Sequence, residues 1–155
     1  MAFLFQVVDP SGNVIDTATA SLAVSPTTAI ITATNLVPGS TVIGTVNVSN
    51  TAGVDEFYQI TANWSPSGST VNSAAARLVN ELVVSVTAGS PSATATPLFT
   101  GSLYGLVDQP ASPGQALPLS VGNENVQFQI TLPANATSVF QGIDVGFDIV
   151  FVASA

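Results

Sequence analysis

Val126, Phe128, Ile130 and Leu132 alternate with Gln127, Gln129 and Thr131, and such a run can bury one side only as a β-strand, because a period of two sends successive side chains to opposite faces. The pattern recurs over residues 41 to 50, where Val42, Gly44, Val46 and Val48 oppose Thr41, Thr45, Asn47 and Ser49. It recurs again over residues 57 to 65, with Tyr58, Ile60, Ala62 and Trp64 as the inward set. Between these runs stand Ser25-Pro26-Thr27-Thr28, the Pro38-Gly39 corner of residues 35 to 40, Asn50-Thr51-Ala52-Gly53 and residues 108 to 114, all rich in the residues that reverse a chain. Further strands are expected at 14 to 24, 29 to 34 and 81 to 87. Residues 116 to 121 and 126 to 132 read as a last hairpin, and 143 to 152 as a closing strand. Residues 98 to 107 read as strand, helical turn or both. Residues 72 to 80 predict one or two turns of helix, from the propensity of Ala74-Ala75-Ala76-Arg77-Leu78 and a cap at Asn72 or Ser73. Nine or ten short strands around one core make an all-β antiparallel sandwich.

The N-terminus poses a separate problem. Phe3, Phe5 and Val7 fall on one face and Leu4, Gln6 and Val8 on the other, so a strand here is apolar on both sides and must be covered on both. Asp9-Pro10-Ser11-Gly12 follows as a turn or hinge. Such a strand can pair with its own sheet or complete that of a neighbour. The expectation adopted is the second. Ala2, Phe3, Leu4, Phe5, Gln6, Val7 and Val8 form a donor strand, Asp9, Pro10 and Gly12 its hinge, residues 1–13 the arm and 14–155 a single sandwich domain.

Charge narrows the partners. Nine acidic residues face one basic residue, Arg77, for a net charge of -8, which repels a phosphate backbone and excludes nucleic acid. With no Lys, neither a Lys–Asn isopeptide bond nor a Lys-linked polymer can form, so any polymer is noncovalent. No apolar run reaches the roughly 20 residues of a membrane span, and Asp9, Pro10 and Gly12 interrupt any long N-terminal helix of the type IV pilin kind. No basic segment precedes Phe3, so the sequence reads as a mature form, and its low charge with much Thr, Ser and Ala points to a secreted, extracellular setting.

Across residues 16 to 64 the chain resembles a known family. Asp16-Thr17-Ala18-Thr19-Ala20-Ser21-Leu22-Ala23-Val24, then Asn35-Leu36-Val37-Pro38-Gly39-Ser40, then Val46-Asn47-Val48-Ser49-Asn50-Thr51-Ala52-Gly53 are similar to the opening of the TasA and camelysin family of biofilm-fibre proteins, which includes archaeal bundling pilus subunits. Val139-Phe140-Gln141-Gly142 and the strand after it are similar to that family's close. The resemblance implies a jelly-roll sandwich that polymerises by donating its N-terminal strand to the next subunit, giving a pilus or matrix fibre whose filaments bundle. The chain departs from the Lys-rich bacterial members in having no Lys, so their bundling contacts do not carry over.

Catalysis finds little material. Without His, Cys or Lys the usual bases and activated nucleophiles are missing. Asp16-Thr17-Ala18 resembles an aspartic-protease tripeptide, but that chemistry needs two such loops and flanking Gly. The zinc site of a metallopeptidase lacks its ligands, and no Asp-x-Asp-x-Asp-Gly loop marks calcium. The chain is therefore read as a non-enzyme without metal or cofactor. Asn47, Asn63 and Asn135 head glycosylation sequons, with Asn135 the best placed and Pro66 weakening that of Asn63. Asp55, Glu56, Asp108, Glu124 and Asp144 are expected at turns or on outer faces. Two other function classes stand beside the filament subunit: a chaperone-assembled bacterial pilin, and a monomeric carbohydrate-binding sandwich.

Overall fold

The computed structural model describes residues 5–8, 14–16, 20–89 and 94–155, the first two of these segments by their backbone. The strands are β1 (Phe5–Val8), β2 (Val14–Asp16), β3 (Leu22–Ser25), β4 (Thr41–Asn50), β5 (Glu56–Pro66), β6 (Val83–Ala88), β7 (Thr96–Ser102), β8 (Gln115–Leu117), β9 (Asn123–Thr131) and β10 (Val145–Ser154), with one helix, α1 (Asn72–Glu81). They form two five-stranded antiparallel sheets, ordered β2-β1-β10-β5-β8 and β3-β4-β9-β6-β7. From β4 to β10 the chain changes sheet at every step except β6 to β7, the alternation of a jelly-roll-like sandwich. The all-β class, the short helix and the inward set of β5 agree with the sequence.

The core lies between the sheets, where the alternation predicts it. Tyr58, Ile60 and Ala62 of β5, Ile149, Phe151 and Ala153 of β10, Val46 and Val48 of β4 and Val126, Phe128 and Ile130 of β9 are all buried. Their large side chains are worth roughly 1.5–3 kcal/mol each on leaving water. Phe151 is the hub, with its ring centroid 5.8 Å from Tyr58 and 6.3 Å from Phe128, the latter edge to face. The opposite parity faces out. On the second sheet β4 presents Thr41, Ile43, Thr45, Asn47 and Ser49, while β9 presents Asn123, Asn125, Gln127, Gln129 and Thr131.

Several expectations are corrected. The long strand of residues 14 to 24 is two strands in different sheets, β2 and β3, with residues 17–19 outside the described part. Among the described residues, 29 to 34 pair with nothing as a strand. Ile30 and Ile31 instead lie on the inner side of β4 at Gly44, where a Cβ would come 2.7 Å from the Ile30 carbonyl oxygen, so the alternation that made Gly44 an inward residue also made room for this crossing segment. The expected hairpin of residues 116 to 132 does not pair with itself: β8 joins β5 in the first sheet and β9 lies between β4 and β6 in the second. Helix α1 runs 10 residues, longer than expected, and its cap is Val71, whose carbonyl accepts from Ala75 N–H with no side-chain capping bond.

Candidate functional site

The site is the outer edge of β10, the strand on which the sheet order turns. On its inner flank β10 pairs with β5 along its whole length, from Val145 opposite Pro66 to Ser154 opposite Phe57. On its outer flank it meets β1, among the described residues, over four positions, Phe5 opposite Ser154, Gln6 opposite Ala153, Val7 opposite Val152 and Val8 opposite Phe151. Among the described residues no strand takes the outer flank of residues 145–150. The row of main-chain donors and acceptors there pairs with no strand among the described residues, and such a row can take an added one.

The two halves of this edge differ beneath as well. Under the half covered by β1 the core is full, packed by Phe151, Tyr58 and Phe128. Beside the open half lies a cleft of about 400 Å³ between the segment Thr27 to Ile31 and Phe147, Asp148 and Ile149. Through Ile31 and Phe147 it joins a larger one of about 770 Å³, whose walls include Leu36, Val42, Leu132, Phe140 and Val145. The cleft lies where the segment that carries Ile30 and Ile31 crosses the inner side of β4 at Gly44. The result is a largely apolar trough beside a strand edge that no described strand takes, a place where alternate side chains of an extended segment have pockets and its backbone has a ladder.

Asp144 and Asp148 stand at the rim, both exposed. Asp144 N–H donates to Thr70 Oγ1 at 2.8 Å and its carbonyl accepts from Ser67 N–H, which fixes the approach to β10. The trough walls themselves carry one carboxylate, Asp144, at the mouth of the larger cleft, and another, Asp148, in the smaller. An uncharged guest fits this better than an acidic one.

At the other end of the sandwich the residue that leads into β3 is anchored. Ser21 N–H donates to Glu56 Oε2 at 3.0 Å, its carbonyl accepts from Thr51 N–H and Thr51 Oγ1, both at 2.9 Å, and its hydroxyl lies 2.6 Å from Thr51 Oγ1. Glu56 is 1 % exposed, contrary to the expectation that it lies outside, because it shares the inward parity of Tyr58 and Ile60. That parity was the signal available in the sequence. Its Oε1 has no hydrogen-bond partner, and burial raises its pKa, with the Ser21 N–H opposing. Glu124 likewise turns inward from β9. Its Oε1 accepts from Tyr58 OH at 2.7 Å and from Gln115 Nε2 at 3.3 Å, tying the two sheets together, and burial followed by the Glu124 charge pushes the Tyr58 phenol up. Asp55, Asp108 and Asp144 are exposed as expected.

Of the proposed donor residues, Phe5, Gln6, Val7 and Val8 form β1, whereas Ala2, Phe3 and Leu4 and the hinge residues Asp9, Pro10 and Gly12 lie outside the described part. The sequons divide by geometry. Asn47 sits within β4 with its Nδ2 donating to Asn123 Oδ1 and Asn125 Oδ1, at 3.1 and 3.0 Å. Asn63 is exposed within β5 opposite Asp148, and Asn135 is exposed in a turn closed by Ala136 N–H to the Pro133 carbonyl. Among the described residues no cluster of three or more potential metal ligands occurs and no helix is long and apolar enough to cross a membrane. The trough residues Ile30, Ile31, Phe147 and Ile149 escape sequence reasoning, since nothing local says which strand ends at an edge. A scan against protein-family models finds no match to this chain, and a search of curated proteins finds none either.

Proposed function

We propose that the chain is the subunit of an extracellular filament, a pilus or matrix fibre, built by strand exchange: residues 2–8 of one copy take the place of β1 on the outer flank of β10 in the next. The observation that carries this reading is the contrast between the flanks of β10, which holds β5 along its whole length on one side and, among the described residues, β1 over four residues on the other, a short ladder that a neighbour's copy of the same strand can replace. The intramolecular pairing of β1 supports it, because exchange then replaces a ladder by an identical one from a neighbour, the low-cost route of swapped elements. The two-faced apolar pattern of residues 3 to 8 and the resemblance at both ends of the chain point the same way.

Deletion of residues 1–8 tests it. The truncated chain is expected to remain monomeric in negative-stain images and sedimentation, and to assemble no filaments, while a synthetic peptide of residues 1–8 binds it. Filaments of ordinary length from the truncated chain would sink the reading. Assembly of the purified full-length chain without helpers separates it from a chaperone-assembled pilin.

A further inference from the structure

The acidic residues are unevenly placed. Asp148 lies on the outer face of the first sheet, Asp55, Asp108 and Asp144 lie in connections and Glu81 on α1, while Glu56 and Glu124 point inward. The outer face of the second sheet carries no charge on β3, β4, β9, β6 or β7. In a chain of net charge -8 it is a broad surface made only of amides, hydroxyls and a few aliphatic groups.

From this we infer that the outer face of the second sheet is a self-association surface whose occupant is the same face of a second copy. Electrostatics favours that partner over other faces of the molecule. Sheets stack about 10 Å apart, so the carboxylates of the far sheet lie at or beyond one Debye length, about 8 Å at physiological salt, from anything docked here. Amide and hydroxyl groups each donate and accept, which makes the face complementary to itself.

Its side chains are already ordered. Asn47 Nδ2 bridges Asn123 and Asn125, Ser49 Oγ donates to Asn47 Oδ1 at 3.1 Å, and Thr41 and Thr131 hydroxyls lie 2.8 Å apart, so little rotamer freedom is left to lose on contact. Ile43, 55 % exposed, and Val83, 39 % exposed, supply apolar area within the polar array. The strands β3, β4, β9, β6 and β7 run 4, 10, 9, 6 and 7 residues, which at about 3.4 Å per residue and about 4.8 Å between strands give roughly 600 Å² per partner, or about 1,200 Å² over both, the lower end of specific interfaces. The contact involves a sheet face and not a strand end, so it acts between monomers as well as between filaments and does not depend on strand exchange.

The absence of Cys makes the test direct. Gln129→Cys places a thiol on this face and Asn63→Cys places one on the outer face of the first sheet, both at exposed positions. With a short bismaleimide linker the full-length Gln129→Cys chain is expected to give a covalent dimer and Asn63→Cys essentially none. The double variant Thr45→Glu, Gln129→Glu is expected to weaken self-association at least tenfold in sedimentation equilibrium and to leave single filaments of unchanged length. Equal cross-linking at the two sites, association unchanged in the double variant, association abolished by added salt, or retention on cellulose without any Gln129→Cys dimer would each overturn the proposal. Cross-linking reads the surface even where the double variant fails to fold, and loss of filaments with the dimer intact would count against strand exchange alone.

Discussion

At the scale of a single residue, Glu56 couples the chain just before β3 to the medium. Its carboxyl is buried with one oxygen on the Ser21 N–H and the other unpartnered, so its pKa is raised from the ordinary 4.5. A carboxyl with a folded pKa above its unfolded one favours the fold while protonated. The contribution is full below the ordinary carboxylate range and is lost as pH rises through the folded value. The wild-type chain should therefore lose stability on going from about pH 4 to about pH 7 by more than Glu56→Gln does, the pH window following from the raised carboxylate value. Denaturation midpoints of the two proteins across that range check the sign, and a difference that shrinks towards neutral pH would contradict it. The Glu124 to Tyr58 hydrogen bond shows the same lesson from the other sheet: an acidic residue beside a turn reads as solvated by composition, but strand parity decides which way it points.

At the scale of the element, β1 and β10 admit a covalent test of exchange. Val7 and Val152 stand opposite one another in an antiparallel ladder, a separation that a disulfide can span. The pair Val7→Cys, Val152→Cys, oxidised as a dilute monomer, should give a closed chain that forms no filaments until a reductant is added. Oxidised after assembly, it should instead give a ladder of covalent oligomers on a non-reducing gel. The elements themselves were largely legible: alternation located β4, β5, β9 and β10 and the Ala-rich run located α1, because these signals depend on neighbours in sequence. Partnership was not. Residues 116 to 132 look like a hairpin, yet β8 and β9 enter opposite sheets, and residues 29 to 34 carry a strand pattern but are held by contact of Ile30 and Ile31 with Gly44. Which strand pairs with which is settled by long-range packing, and so the split edge of β10, the centre of the candidate site, had no local signature.

At the scale of the whole molecule, charge and apolar contact separate into different regions. Protonation towards the pI of about 4.1 or added salt should thicken bundles, because it weakens repulsion among the carboxylates outside the second sheet. Turbidity and filament widths measured over a pH and salt series test this, with filament length as the internal control, since an apolar strand contact is insensitive to both. Bundles that dissolve as salt rises would show that opposite charges hold them. The direction of the β1 ladder adds a mechanical property. In a filament joined through this contact, tension pulls the inserted strand from its Val8 end along its own axis, at right angles to the antiparallel bonds between β1 and β10. All the bonds are then loaded together in shear and none can be peeled open first, so each joint resists drawing apart far better than prying apart, and the fibre is strongest along its length.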